Sequence, residues 1–260
     1  MESVFIGELT WQQYQARIAA GNAVVLLPVG ALEQHGHHLP MNVDVLLPTA
    51  VCERVAQRTG ALVAPAVHYG YKSQQKSGGG NHYPGTTSLD GVTVIRTVQD
   101  IIRELARHGV RRLAILNGHF ENSMFVVEGI DLALRELHYA GVEGFRVMTL
   151  SYWDFAEDPE VIKKLYPDGF QGWNVEHGGV FETSLMLALY PHLVDMEQME
   201  HHPPATFPPY DLFPVVPERT PRPGTLSSAR GASRAKGELI LEVCVNGIAR
   251  ALRDEFGAQH

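Results

Sequence analysis

The sequence predicts an α/β fold: a three-layer α/β/α arrangement around a mainly parallel sheet. Two observations carry that expectation. Four short runs are apolar nearly throughout, as strands covered on both faces should be, and longer segments with apolar residues at spacings of three and four alternate with them. Strand, helix, strand, helix in one chain implies parallel strands joined by right-handed crossovers.

The expected strands are Ala23 to Val29, Ala61 to Val67, Arg112 to Asn117 and Phe145 to Ser151, each bounded by Gly, Asn or Asp. Helices are expected from Asp44 to Arg58, from Leu89 to Gly109 and from Asn122 to Gly141, the last two ending in Gly at a plausible C-cap. A further amphipathic helix, Ala235 to Phe256, closes the chain. Two regions break the alternation. The segment 67–90 is too long and too rich in Gly and polar residues for an ordinary connection, and such loops are usually functional or mobile. The segment 201–228 is proline-dense and reads as an extended arm, either a linker or a contact with a neighbouring subunit. No repeat or composition shift calls for a second domain, so residues 1–260 read as one.

Composition narrows the function. The chain has 260 residues and a formal net charge of −8 spread along its length, which argues against nucleic acid, whose phosphates call for a basic patch. No apolar run approaches the roughly 20 residues that span a bilayer, and the N-terminus lacks a basic segment followed by a long apolar one. A soluble, cytoplasmic protein is expected. Cys52 and Cys244 fall in apolar, helical patterns and read as buried free thiols.

The chemistry is concentrated where strands end. The first strand runs into Glu33-Gln34-His35 and the third into His119-Phe120-Glu121. Residues i and i+2 of an extended chain point to the same side, so each triplet can present one carboxylate and one imidazole together. Both triplets would leave the C-terminal edge of the sheet, where open α/β sheets bind ligands. Gly30 and Gly118 allow a sharp turn there. Asp44, opening the next helix, is a fifth candidate, favoured as a carboxylate by the helix dipole.

Five ligands of N and O type suit Zn²⁺ or Mn²⁺. Glu33, Asp44 and Glu121 bring three negative charges, and one divalent ion would leave a net negative charge in a buried site. Two ions with a bridging hydroxide bring the balance to zero, which favours a dinuclear centre with Asp44 shared. A lone Glu-x-His triplet reads more simply as a surface turn. Two in opposite order, each following a strand and a Gly, do not.

Four stretches, "LLPVGALEQHGHHLPMNVDVLLP", "YKSQQKSGGGNHYPGTTSLD", "NGHFENS" and "WNVEHGGVFETS", resemble the creatininase family, and the resemblance runs over essentially the whole chain. It implies a creatininase-like fold, a homohexamer, two divalent ions (Zn or Mn) per subunit, and reversible hydrolysis of creatinine to creatine by attack of metal-bound hydroxide on the lactam carbonyl. Residue by residue, it implies that Glu33, His35, Asp44, His119 and Glu121 hold the metals, with Glu33 and His119 on one ion and His35 and Glu121 on the other. His177 falls on the catalytic histidine, with Glu121 a second catalytic group. Trp153, Trp173 and Ser77 fall on substrate-binding positions, Trp173 on a flap. Behind these, His38 and Glu182 are candidates for supporting roles, Glu182 by orienting a catalytic group.

The residues taken alone leave other readings open. Trp153 could cap the core, His177 could cap the helix that follows Gly178-Gly179, and Glu182 could lie on that helix's surface or cap it. Gly78-Gly79-Gly80 lacks the spacing and Lys of a phosphate loop and reads as backbone close to substrate, or as flexibility. Phe120 stands where the family resemblance leads one to expect tyrosine, and Asn174 where it leads one to expect aspartate. Two alternatives to creatinine hydrolysis are a family member acting on another amide, such as a formamide, which should bind phosphate, and a non-catalytic metal-binding assembly protein.

Overall fold

The computed structural model describes residues 3–258. Four parallel strands, β1 (Val24–Val29), β2 (Leu62–Val63), β3 (Arg112–Asn117) and β4 (Arg146–Ser151), form one sheet in the order β2-β1-β3-β4. Among the described residues eight α-helices surround it: α1 (Trp11–Ala19), α2 (Val43–Thr59), α3 (Gln75–Gly78), α4 (Gly91–Arg107), α5 (Ser123–Tyr139), α6 (Pro159–Leu165), α7 (Val180–Leu189) and α8 (Arg234–Phe256).

Strand alternation sorts the core into two layers. Val24 and Leu26 of β1, with Ala114 and Leu116 of β3, face a cluster that includes Leu47 and Val51 of α2, Leu185 of α7 and Ile248 of α8. Val25, Leu27 and Val29, with Leu113 and Ile115, face Val98 and Ile102 of α4 and Val126 of α5. Both faces of the central strands are therefore dry, which is why they read as unbroken apolar runs. Each fully buried Leu, Ile or Val contributes about 1.5–3 kcal/mol by leaving water. Cys52 and Cys244 are free and buried in the first layer, as expected.

The second expected strand is shorter than its apolar run. Regular pairing covers Leu62–Val63, and beyond Ala64 the register slips by one residue, the next donor to β1 being the Val67 N–H. Pairing resumes only as a single bridge between Val29 and Val67. The 67–90 segment is ordered around α3 and two further bridges, Leu32 with Thr87 and Tyr71 with Leu89.

The strand order positions the site. From β1 the chain crosses to β2 on one side and then returns to β3 on the other, so the two connections diverge between β1 and β3. A crevice opens at such a switch point, outside the carboxyl ends of the strands. Here Val29 pairs with Asn117, and Gly30 and Gly118 follow side by side. A Cβ on either glycine would overlap the Asp44 carbonyl. Pro48, four residues on, has no N–H for that carbonyl, so the first turn of α2 can press directly onto both strand ends. Among the described residues no helix is long and apolar enough to cross a membrane.

Candidate metal centre and its pocket

Asp44 sits in the first turn of α2, where the helix dipole favours a carboxylate, and is buried between two histidines. Its Oδ1 lies 3.0 Å from His35 Nε2 and its Oδ2 lies 3.1 Å from His119 Nδ1. Glu33 Oε2 is also 3.1 Å from His119 Nδ1, and Glu182 Oε1 is 3.7 Å from His35 Nε2. Two three-residue groups result, Glu33 with Asp44 and His119, and His35 with Asp44 and Glu182, their ligand atoms within 4.8 Å of one another in each group. A third combination, Glu33 with His35 and His177, draws on the same centre.

The opposite ring nitrogens decide what those atoms can do. His35 Nδ1 is 3.0 Å from the Glu33 carbonyl, and His119 Nε2 is 3.0 Å from the Tyr71 carbonyl. A carbonyl only accepts, so each of those nitrogens carries hydrogen, and in the neutral ring the nitrogen facing Asp44 carries a lone pair. Lone pairs of one imidazole and two carboxylates thus converge twice, once on each side of Asp44. Glu33 Oε1, His35 Nε2 and Asp44 Oδ2 are buried and make no hydrogen bond. Such convergence suits a cation, and the N and O donors fit Zn²⁺ or Mn²⁺. The backbone carbonyls behind the two histidines are the outer partners that fix ring orientation in metal sites.

Electrostatics agree with a cation site. Burial alone would lower both histidines, but Asp44 and Glu182 raise His35 well above its usual range, and Glu121 and Glu33 do the same for His119. Burial works to raise Asp44, yet His35 and His119 hold it well below the ordinary carboxylate range. Burial pushes Glu33 up to about 7. Metal-free protein near neutral pH therefore holds protons on both histidines, which loading with a divalent ion must displace. On the order of two protons released per chain at pH 7 is expected from calorimetric titration in buffers of differing ionisation enthalpy. Metal binding independent of the buffer would contradict it.

Glu121 stands apart from both groups. Its Oε1 accepts hydrogen bonds from Ser77 Oγ (2.6 Å) and from the Gln74 N–H (2.8 Å), and its Oε2 is 3.4 Å from His119 Nε2. Glu182 is the carboxylate that stands beside His35 here, while Glu121, the partner that the resemblance assigns to that ion, is held by Ser77 and Gln74. Glu121 and Ser77 join the 67–90 loop to the end of β3. The loop's backbone also closes on Glu33, since a Cβ at Gly78 would overlap Glu33 Oε1 and Ser73 Oγ. Within the triglycine run it is Gly78 that makes the close approach to Glu33, while a Cβ at Gly79 would meet the Gly224 carbonyl.

A cavity of about 600 Å³ opens over the centre, within the range of small-molecule sites. Its walls include Tyr152, Trp153, Trp173 and Phe181, with Glu33, Asp44, His177 and Glu182 at the polar end. The Trp173 ring meets Phe181 edge-on at 5.3 Å, and Tyr152 stacks near Phe181 at 6.1 Å. Trp153 and Trp173 both line the cavity and both pack on the first core layer, so the wall and core readings of Trp153 hold together. Phe120 lies at the rim, 65% exposed, and Asn174 also lines the cavity. His177 is buried, and burial together with the neighbouring His35 lowers it well below its usual range, so it is a neutral imidazole at pH 7. His38 is buried with its Nε2 2.9 Å from Thr183 Oγ1, and burial lowers it to about 4. Its bond to Thr183 joins it to the first turn of α7, next to Glu182. His37 is exposed and pairs with Glu200.

The proline-dense arm packs onto the 67–90 loop of its own chain. Gln75 donates to the Val216 carbonyl (2.6 Å), Thr220 donates to the Gly79 carbonyl (2.8 Å), and Lys76 pairs with Asp211 (3.3 Å) at the cavity mouth.

A family model described as creatinine amidohydrolase matches residues 7–252. The chain belongs to the creatininase family. It is 75% identical over 255 residues to creatinine amidohydrolase of Pseudomonas putida, covering 98% of each chain. A crystal structure of creatininase superposes with a TM-score of 0.98 at 75% identity, covering 98% of this chain and 99% of that one. A mutant creatininase complexed with creatine gives a TM-score of 0.96 at 73% identity with the same coverage. Creatininase structures described as Zn-Zn and Mn forms match at 0.97, with 74% and 75% identity and the same coverage. The α/β class and the family expected from the sequence are both met, and the expectation of a hydrolase is met with them.

Proposed function

We propose that this chain hydrolyses creatinine reversibly to creatine at a dinuclear metal centre. The observation that carries the substrate is the near-complete match to creatinine amidohydrolase. The chain's own geometry supports the dinuclear reading: Asp44 turns one oxygen toward each histidine lone pair. Glu33, Asp44 and His119 would hold one ion, and His35, Asp44 and Glu182 the other, Zn or Mn in each case. In this reading Glu182 stands where the resemblance puts Glu121, which leaves three carboxylates among the direct ligands and Glu121 as a fourth beside them. Bound there, the two ions supply a water nucleophile at neutral pH and polarise the lactam carbonyl.

The remaining work falls to the protein. Trp153, Trp173 and Phe181 present flat faces and edges to a flat, delocalised ring and exclude water from it. His177, neutral because it is buried, can accept and return a proton during opening of the ring. Glu121, held by Ser77 and Gln74, keeps a carboxylate at the same end of the pocket. The homohexamer, the cytoplasmic location and the single domain belong to the same reading and rest on the family resemblance and the sequence.

The metal-loaded protein is expected to turn over creatinine, and His177→Ala to keep both ions while losing about 10²–10⁴-fold in kcat. Folded, metal-loaded protein that leaves creatinine untouched would refute the substrate. Metal loss in His177→Ala equal to that in a ligand variant would refute the role given to His177.

A further inference from the structure

Gln34 lies between Glu33 and His35 and is buried. Its side chain joins three other segments. Its Nε2 is 3.1 Å from the Gly78 carbonyl in the triglycine run and 2.8 Å from the Gly224 carbonyl in the arm, and its Oε1 accepts the Gly36 N–H at 2.9 Å. A primary amide has two hydrogens, and the two carbonyls use both. The fit is close on the arm side, because a Cβ at Gly224 would overlap Gln34 Oε1.

His177 Nε2 meets the same residue twice. It lies 2.8 Å from the main-chain carbonyl of Gln34 and 3.0 Å from Gln34 Nε2. The carbonyl can only accept, so His177 Nε2 carries the hydrogen. The nearby amide nitrogen is no conflict, because its own hydrogens go elsewhere. In the neutral ring the lone pair is then on Nδ1.

We infer that Gln34 is a positioning residue, which holds His177 as the Nε2–H tautomer and so offers an unprotonated Nδ1 to the substrate. Through Gly78 and Gly224 it also ties that imidazole to the 67–90 loop and to the arm, so the two long irregular segments and the histidine share one anchor. Its bearing on catalysis rests on the creatinine reading above; the tautomer itself does not.

The test has two arms. The first is the imidazole ¹⁵N spectrum of histidine-labelled, metal-loaded protein, with the His177 signals assigned by their absence from His177→Ala. A protonated Nε2 and an unprotonated Nδ1 are expected, and a protonated Nδ1 overturns the inference whatever the protein does with creatinine. The second is Gln34→Met, which keeps the main-chain carbonyl and the length of the side chain but removes both amide donors. Its kcat is expected to fall about 30- to 100-fold, as a small displacement of a reacting group does. KM should change less than about threefold, with metal content unchanged. A kcat within about twofold of the parent, or a loss of ions in step with activity, overturns the anchoring by the Gln34 amide, as a protonated Nδ1 overturns the tautomer. If the parent protein turns over no creatinine, the functional reading fails and the spectrum alone decides the tautomer.

Discussion

Asp44→Asn is expected to strip both ions from the chain and to lower creatinine turnover by about 10³-fold or more, the several kcal/mol that a bound divalent ion supplies. The reason lies in one side chain facing two ways. Asp44 Oδ1 stands at His35 and Oδ2 at His119, 3.0 and 3.1 Å away. An asparagine retains one oxygen and substitutes a donor for the other, so one side of the centre meets an N–H where it needs a lone pair. The other side loses the negative charge that balances it. Metal analysis after dialysis, with thermal unfolding as a check on folding, measures the effect. Two ions retained per chain would contradict the shared position of Asp44.

Glu182→Gln and Glu121→Gln are expected to fail on opposite sides of that carboxylate. Glu182 stands beside His35, so its loss removes a direct donor from the ion at His35 and leaves the other ion in place. Glu121 acts from behind His119, where its Oε2 lies 3.4 Å from the ring nitrogen turned away from the centre. Its loss should weaken the His119 ion by about 10- to 100-fold, the usual effect of removing a carboxylate behind a metal-bound histidine. It should also release Ser77 and Gln74, and with them the 67–90 loop. Competition titration with a chelator on each variant separates the two sites. The same ion weakened in both variants would refute this division.

These two glutamates also mark where the sequence was legible and where it was not. Glu33, His35, His119 and Glu121 announce themselves because each pair sits two apart in extended chain at the end of an apolar strand. Asp44 adds the signal of a helix start. Glu182 carries the same first-turn signal in α7 and is a candidate on that ground, but only the packing of α7 against α2 and α8 brings it to His35. Local spacing cannot report a contact set by the meeting of distant helices. Gln34 was overlooked for a related reason, since its partners lie 44, 143 and 190 residues away.

The fold divides in the same way. β3 and β4 match their apolar runs to within a residue, and α2, α4, α5 and α8 lie where the three-four spacing puts them. β2 is cut short by a one-residue slip in register against β1. Helix α1 lies outside the expected elements although it carries a local signal, a capping box between Thr10 and Gln13. The arm at 201–228 could be read only as extended, because prolines fix backbone direction without saying what the chain will lie against. It lies partly against the 67–90 loop, at the mouth of the cavity.

The most direct test of the dinuclear centre is anomalous diffraction from crystals of the metal-loaded protein, collected at the zinc and manganese edges. Two peaks per chain are expected, one on each side of the Asp44 carboxylate, with Glu33 and His119 at the first and His35 and Glu182 at the second. A single peak, or two peaks that do not share Asp44, would contradict it.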